Sequence, residues 1–186
     1  SEDCVECFFC YFDGHGVFAC YGTGKNNEGS YPAWEGFNDK YDTVTQHLYY
    51  TGGDGGFSNK DGTYVGTSQL SEETVKGVWL GLKLPYKVHV HKLEYYPQAS
   101  SNAPYDKSHE VYEAIIYGKN DDERWRKIGT MTNTGLFNTH SFVTVHDLDS
   151  TVTCNQLAFV ATKRHVSSTE GITIRNLIYY GFREQG

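Results

Sequence analysis

Long alanine- and leucine-rich periodic segments are missing from this chain of 186 residues, and methionine occurs once. Their absence argues against a helical bundle. No apolar run reaches the roughly eighteen residues of a membrane-spanning helix. Positive charge is scarce: 16 Lys and Arg face 23 Asp and Glu, giving a net charge of -7 and a pI near 5.6. Its densest basic group, Arg124, Arg126 and Lys127, reads as a solvated face. Nucleic acid is therefore not the expected partner, because phosphate contacts need clustered Lys and Arg. No Asn-x-Ser/Thr sequon occurs, which argues against a heavily glycosylated secreted animal protein. No secretory leader is legible, and Ser1 is expected to begin a processed or trimmed chain. Catalytic signatures are missing too: no G-x-S-x-G elbow, no P-loop, and no G-x-G-x-x-G after a strand. His15, between two glycines and after Asp13, could stand beside a reactive Cys, but no strand scaffold is evident around it. No carboxylate spacing selects an acid–nucleophile pair for glycoside hydrolysis. The chain is read as non-catalytic.

What is present is aromatic and rich in turns. Aromatics make up 15% of the residues, with 15 tyrosines and 20 glycines, a profile that suits a β-rich fold. At 21.0 kDa the chain can bury a core without help from metal or disulfides. Residues 1–30 form a Cys- and Gly-rich head with the aromatics Phe8, Phe9, Tyr11 and Phe12. From Tyr31 onward β segments alternate with turns. Strands are expected at 47–51, 62–67, 76–84, 87–96, 110–117, 124–131, 140–146, 155–163 and 171–182. Nearly every connection carries Gly, Asn, Asp or Pro. Short strands so spaced imply a sandwich or barrel. In VHVHKLEY (88–95), Val88, Val90 and Leu93 cannot share one face at period two, so a bulge or a change of face is expected between Val90 and Leu93. His89 and His91 share a face and read as a solvent-facing polar stripe rather than a metal pair.

Cysteines crowd the head. Cys4, Cys7, Cys10 and Cys20 follow the spacing C-x2-C-x2-C-x9-C. That admits two disulfides, a zinc site with His15 as a spare ligand, or free thiols. Cys154, in the strand-like TVTCNQLAFV, reads as a small buried apolar residue.

Four segments carry a resemblance. They are VWLGLKLPYKVHVHKLEYYP (78–97), HEVYEAIIYGKNDDERWRKIGTM (109–131), CNQLAFVATKR (154–164) and RNLIYYGF (175–182). Together they resemble the discoidin family, the coagulation factor 5/8 type C domains of the galactose-binding-like fold. The family's Y-G-S-N-D-G-x-x-W turn appears as Tyr117-Gly118-Lys119-Asn120-Asp121-Asp122 with Trp125 in step. Here Lys119 replaces the small residue and Asp122 the glycine. AWEGFNDKYDT (33–43) resembles the family's A-F-D-G-x-x-x-T segment, with Phe37, Asn38, Asp39 and Thr43 in matching order. The resemblance runs from about Tyr31 to Phe182 and implies an all-β jelly-roll sandwich over residues 31–186, behind the Cys-rich extension 1–30. It also implies that Trp125 packs inward as a structural residue.

The same resemblance implies ligands on loops at one end of the sandwich. A sugar site needs an aromatic face and planar polar groups. Loops 51–62, 97–109 and 164–170, with the neighbouring Tyr49 and Tyr50, supply such residues, and Tyr50, Phe57, Asn59, Tyr105, His109, Arg164 and His165 are the candidate set. A structural calcium ion is the cofactor the family suggests, with Asn38, Asp39, Asp42 and Thr43 as ligands. Two departures stand against it: Asn38 replaces an acid, and Arg175 or Asn176 falls where the last strand should supply one. Lipid binding is disfavoured by net negative charge and few loop-tip leucines. The expected function is a carbohydrate-binding or adhesion module for a cell or matrix surface, located extracellularly or on a virion. GVWLGLKLPYKV is most similar to discoidin-like domains of viruses and microbes. The alternative is a structural or decorating component of a larger assembly, making protein contacts through residues 1–30.

Overall fold

The computed structural model describes residues 19–22, 36–37, 49–51, 55–72, 74–97, 110–134, 142–165 and 171–184. The described residues are all-β apart from a short turn of 3-10 helix at residues 36–37. Among them nine strands follow one another: β1 (Ala19–Gly22), β2 (Tyr49–Tyr50), β3 (Val78–Tyr96), β4 (Val111–Lys119), β5 (Arg126–Thr132), β6 (Val143–Val145), β7 (Cys154–Arg164), β8 (Thr173–Ile174) and β9 (Asn176–Arg183). All pairings are antiparallel. Four strands flank the first half of β3 in the order β1-β3-β7-β4-β5; β6 and β9 pair with its second half, and β2 pairs with β8 separately.

The organising element is β3. Two strands were expected at 76–84 and 87–96; they are one strand of 19 residues. Its first half pairs with β7, from Val78↔Ala161 to Lys83↔Gln156, and its second half pairs with β9, from Val88↔Arg183 to Tyr96↔Asn176. The switch falls at Pro85. Proline has no N–H to give to a ladder, and the β7 register shifts between Lys83 and Val88. The expected irregularity after Val90 is a bulge: the β9 register shifts between Val90 and Lys92. It returns Leu93 and Tyr95 to the buried face.

Inward positions repeat at period two, as strand geometry requires. Leu80 and Leu82 face Phe159 and Leu157 of β7; these four join Val88, Val90, Leu93, Ile116, Leu177 and Tyr179 in one buried cluster. Tyr95, with 0% exposure, ties three elements together. Its hydroxyl donates to the Thr173 carbonyl at 2.9 Å and accepts from Val111 N at 3.2 Å. Cys154 is a free, buried thiol in this core, pushed up to about 12 by burial and then by Glu123. It is a packing residue, as its strand suggested.

One expectation changes here. Residues 62–67 are not a full strand but make isolated bridges, Phe57↔Tyr64 and Thr63↔Lys163. Within the head, β1 lies against β3 with Ala19↔Lys83 and Gly22↔Leu80 in register. Cys4, Cys7 and Cys10 lie outside the described residues.

Candidate functional site

The last turn of β7 and the loop beside it build one end of the sandwich. Gly62 has a φ of 80°, a conformation that favours glycine. A Cβ there would meet the Arg164 carbonyl oxygen at 2.3 Å. The bare Cα lets the loop close on the strand. Gly62 N donates to Ser58 O, Arg164 N donates to Gly62 O, and Tyr64 N donates to Thr162 O, each at 2.9 Å. On the other side His165 N donates to Glu110 O at 3.0 Å, which fixes the start of β4.

Side chains on the end of β7 alternate. Arg164 turns inward and is 0% exposed. Its Nη2 donates to Asn59 Oδ1 at 2.6 Å and contacts Ser58 O at 3.4 Å. The guanidinium thus holds the 58–62 loop from beneath. Lys163 and His165 turn outward. With Asp61 and Tyr112 they line a cleft of about 370 Å³. Lys163 Nζ lies 5.2 Å from the Tyr112 ring centroid, and the His165 ring meets Tyr112 edge-on at 6.3 Å and 73°. Asp61 is exposed. Its carboxyl is held below the usual carboxylate value first by the backbone N–H of Thr63, which it accepts at 2.9 Å, and then by the Thr63 side chain, with Lys163 and Lys60 adding charge attraction. It is therefore a pre-oriented anionic acceptor beside an ammonium and two rings.

The expected site residues separate in this geometry. His165 faces the cleft. Asn59 is exposed and anchors the loop through Arg164. Arg164 and Phe57 are enclosed; Phe57 is 2% exposed and packs edge-on to Tyr64 at 5.3 Å. Both are enclosed in this arrangement and support the loop rather than line the cleft. Tyr50 belongs to β2, paired with Thr173. Tyr105 and His109 lie outside the described residues, as do the calcium candidates Asn38, Asp39, Asp42 and Thr43. At the last strand, where the family pattern has an acid, Arg175 and Asn176 are buried at 1% and 0%. A guanidinium is no ligand for a hard dication, whereas an Asn carbonyl oxygen can be one. Among the described residues no group of three His, Cys, Asp or Glu side chains could hold a metal.

Tyr112, Lys163 and Asp61 are the cleft residues the sequence reading missed. Alternation at the end of β7 was the available signal. A strand cannot point Arg164 and His165 the same way, so choosing His165 implied Lys163.

Trp125 does not enter the main core. It is half-buried on the outer face of the sheet, in a small cluster with Tyr117, Ala158, Val160, Leu70, Trp79 and Ile115.

No family model matches the sequence, and no curated protein matches it. Solved structures do. The family 32 CBM from Clostridium perfringens NanJ, in complex with galactose, superposes with a TM-score of 0.57 at 12% identity, covering 88% of this chain and 93% of that one. A Clostridium perfringens CBM32 in complex with GalNAc-beta-1,3-galactose gives 0.57 at 14% identity, covering 87% and 94%. The F5/8 type C domain of a Bacteroides fragilis protein gives 0.56 at 9% identity, covering 90% and 93%. This chain has the discoidin-like fold. The fold is established along nearly the whole length of these structures, while identities this low leave the ligand to be argued from the site. No helix among the described residues is long and apolar enough to cross a membrane.

Proposed function

We propose that this discoidin-like chain is a non-catalytic carbohydrate-binding module that seats a saccharide in the cleft of Tyr112, Lys163, His165 and Asp61. One observation carries the reading. At one end of a rigid sandwich, an aromatic ring and an imidazole stand beside a fixed carboxylate and an ammonium, around about 370 Å³ of open space. A pyranose is amphipathic. Its C–H face packs on an aromatic ring, and its hydroxyls need both donors and acceptors. Asp61 supplies acceptors, Lys163 supplies donors, and Tyr112 supplies the ring. Loops on a stiff scaffold are where recognition is usually placed. Galactose and a GalNAc-galactose disaccharide are the ligands of two structures sharing this fold, which makes them the first probes. Display on an extracellular or virion surface, attaching to cell or matrix glycans, is the setting that fits such a module.

The test is a glycan array on the intact chain, run with calcium and again with EDTA. Specific binding is expected. Tyr112→Ala and Lys163→Ala each weaken it at least tenfold, about 1.4 kcal/mol, with the melting temperature unchanged. Binding that survives EDTA separates sugar recognition from the calcium expectation. A folded chain that binds no glycan favours the structural-component reading instead.

A further inference from the structure

Tyr112 carries the ring of the cleft, yet the strand ladders do not fix it. In the pairing of β4 with β7, Val111 lies opposite Arg164 and Glu113 opposite Lys163. Two steps along β4 match one step along β7, so Tyr112 is the extra residue of a bulge. A second shift follows at once, between Glu113 and Ala114, where Thr162 is the extra residue on β7. On the other side the register of β4 with β5 starts only at Glu113↔Thr132. Tyr112 therefore has no Cα partner in either ladder. A bulge re-aims a side chain and leaves its residue outside the pairing, so the direction of the Tyr112 ring needs another support.

Asn133, the residue after β5, supplies it. Its side chain is buried, with 3% exposure. Its backbone N–H donates to Tyr112 O at 2.8 Å. Its Nδ2 donates to Val111 O and to Glu110 Oε2, each at 3.2 Å. Both partners of that nitrogen are acceptors, which fixes the orientation of the amide. Glu110 is buried too, and its carbonyl accepts from His165 N. Beyond the bulge the Thr162 hydroxyl donates to Glu113 O at 3.3 Å. The carbonyls of residues 110, 111, 112 and 113 are thus all held, the middle pair by Asn133. Val111 N is held as well, by the Tyr95 hydroxyl. A buried amide beside a buried carboxylate costs free energy unless both are hydrogen-bonded. Packing alone does not call for such a pair; a fixed backbone direction does.

We infer that Asn133, seated against Glu110, is a positioning residue of the Tyr112 cleft: it holds the bulge that aims the Tyr112 ring toward Lys163 and His165. The inference rests on the seating of a saccharide at that cleft. Asn133 does not line the cleft itself and acts through the ring.

The test begins without sugar. Nuclear Overhauser contacts from the Tyr112 ring to the Lys163 and His165 side chains are recorded on the intact chain, on Asn133→Ala and on Asn133→Asp. The second variant replaces the Nδ2 donor by an acceptor at unchanged size, and serves where the first does not fold. The contacts are expected in the wild type and fall at least threefold in both variants. The contact of Phe57 with Tyr64, on the neighbouring loop, is unchanged. Affinity for a glycan that binds on the array falls at least fivefold with either substitution. In a Tyr112→Ala background the same substitutions cost less than twofold, because the ring they act through is gone. A general loosening of the fold would weaken both backgrounds alike. Unchanged ring contacts in the folded variants overturn the inference, and so does an equal fold-loss of affinity in the two backgrounds. If the wild type binds no glycan, the saccharide reading fails by itself, and the ring contacts still decide whether Asn133 aims Tyr112.

Discussion

Arg164 is a charged side chain with no exposed surface, and its environment explains why that is tolerated. A buried guanidinium is costly unless its donors are used. Here Asn59 and the Ser58 carbonyl accept from it, so the charge becomes a clamp on the loop that carries Asp61. Arg164→Leu is expected to lower stability by about 1.5–3 kcal/mol, since a hydrogen bond to a charged group counts for more than a neutral one. Chemical denaturation measures this. Loosening of the Asp61 loop should also weaken glycan binding, although Arg164 does not line the cleft; an unchanged stability would show that the clamp is slack. The sequence singled out Arg164 and His165 as neighbours of a ligand but could not say which one faced it. That depends on where the strand ends and which face is inward, and the side chain's polarity misleads on both. Phe57 misleads in the same way. It sits between two glycine-rich stretches that look like an exposed loop, yet Gly55 and Gly56, with φ of 65° and 85°, fold the chain so that the ring reaches the core.

At the scale of the element, the family-like motifs become geometric requirements. Gly181, the glycine of the terminal Tyr-Gly, sits opposite the bulge of β3, and a Cβ there would lie 1.9 Å from the His89 carbonyl oxygen. Backbone lies on the other side of that contact, so no rotamer change relieves it. Gly181→Ala is expected to cost at least about 2 kcal/mol, read as a lowered midpoint in urea; a neutral substitution would show that the bulge can move. The bulge itself was legible, because Val88, Val90 and Leu93 break a period of two. The fusion of two expected strands into β3 was not, because Pro85 looks like a terminator from sequence alone. The turn at Asn120–Glu123 shows the converse. Asp122 replaces a glycine of the family pattern at no conformational cost, because it does not adopt a positive φ, and Asn120 closes the turn by donating to Glu123 and to the Thr153 carbonyl. Trp125, in step with that motif, was expected inside. Its burial is real but belongs to the outer face, a distinction that depends on the register of β4 with β5.

For the whole molecule, order and density of the strand signals made the fold readable. Which loop residues converge was not, because that depends on contacts between segments far apart in sequence, such as Asp61 with Lys163. Acidity bears on behaviour in solution. Four exposed carboxyls are held below their ordinary values: Asp61 by the Thr63 N–H, Asp121 by the Gln156 amide, Glu123 by the Asn120 amide and Asp149 by the Thr151 hydroxyl. A carboxyl with a lowered folded pKa adds stability that is fully present above its unfolded value. That stability is lost as pH falls through the folded one. The melting temperature should therefore be steady between pH 7 and 6 on this account and fall below the ordinary values of 4.5 for Glu and 3.8 for Asp. A melting temperature that rises on acidification through that window would contradict it. Glycan binding at the Asp61 cleft should fade over the same acidic range, as the acceptor gains a proton.

The central claim is that a sugar seats between Tyr112, Lys163, His165 and Asp61. The most direct measurement is a two-dimensional NMR titration of the intact chain with galactose, N-acetylgalactosamine and any glycan that binds on the array. The account predicts saturable shifts centred on those four residues, with Arg164 and Asn59 following as the loop tightens. Saturable shifts confined to another face, or no shift from any of these sugars in a folded chain, would contradict it.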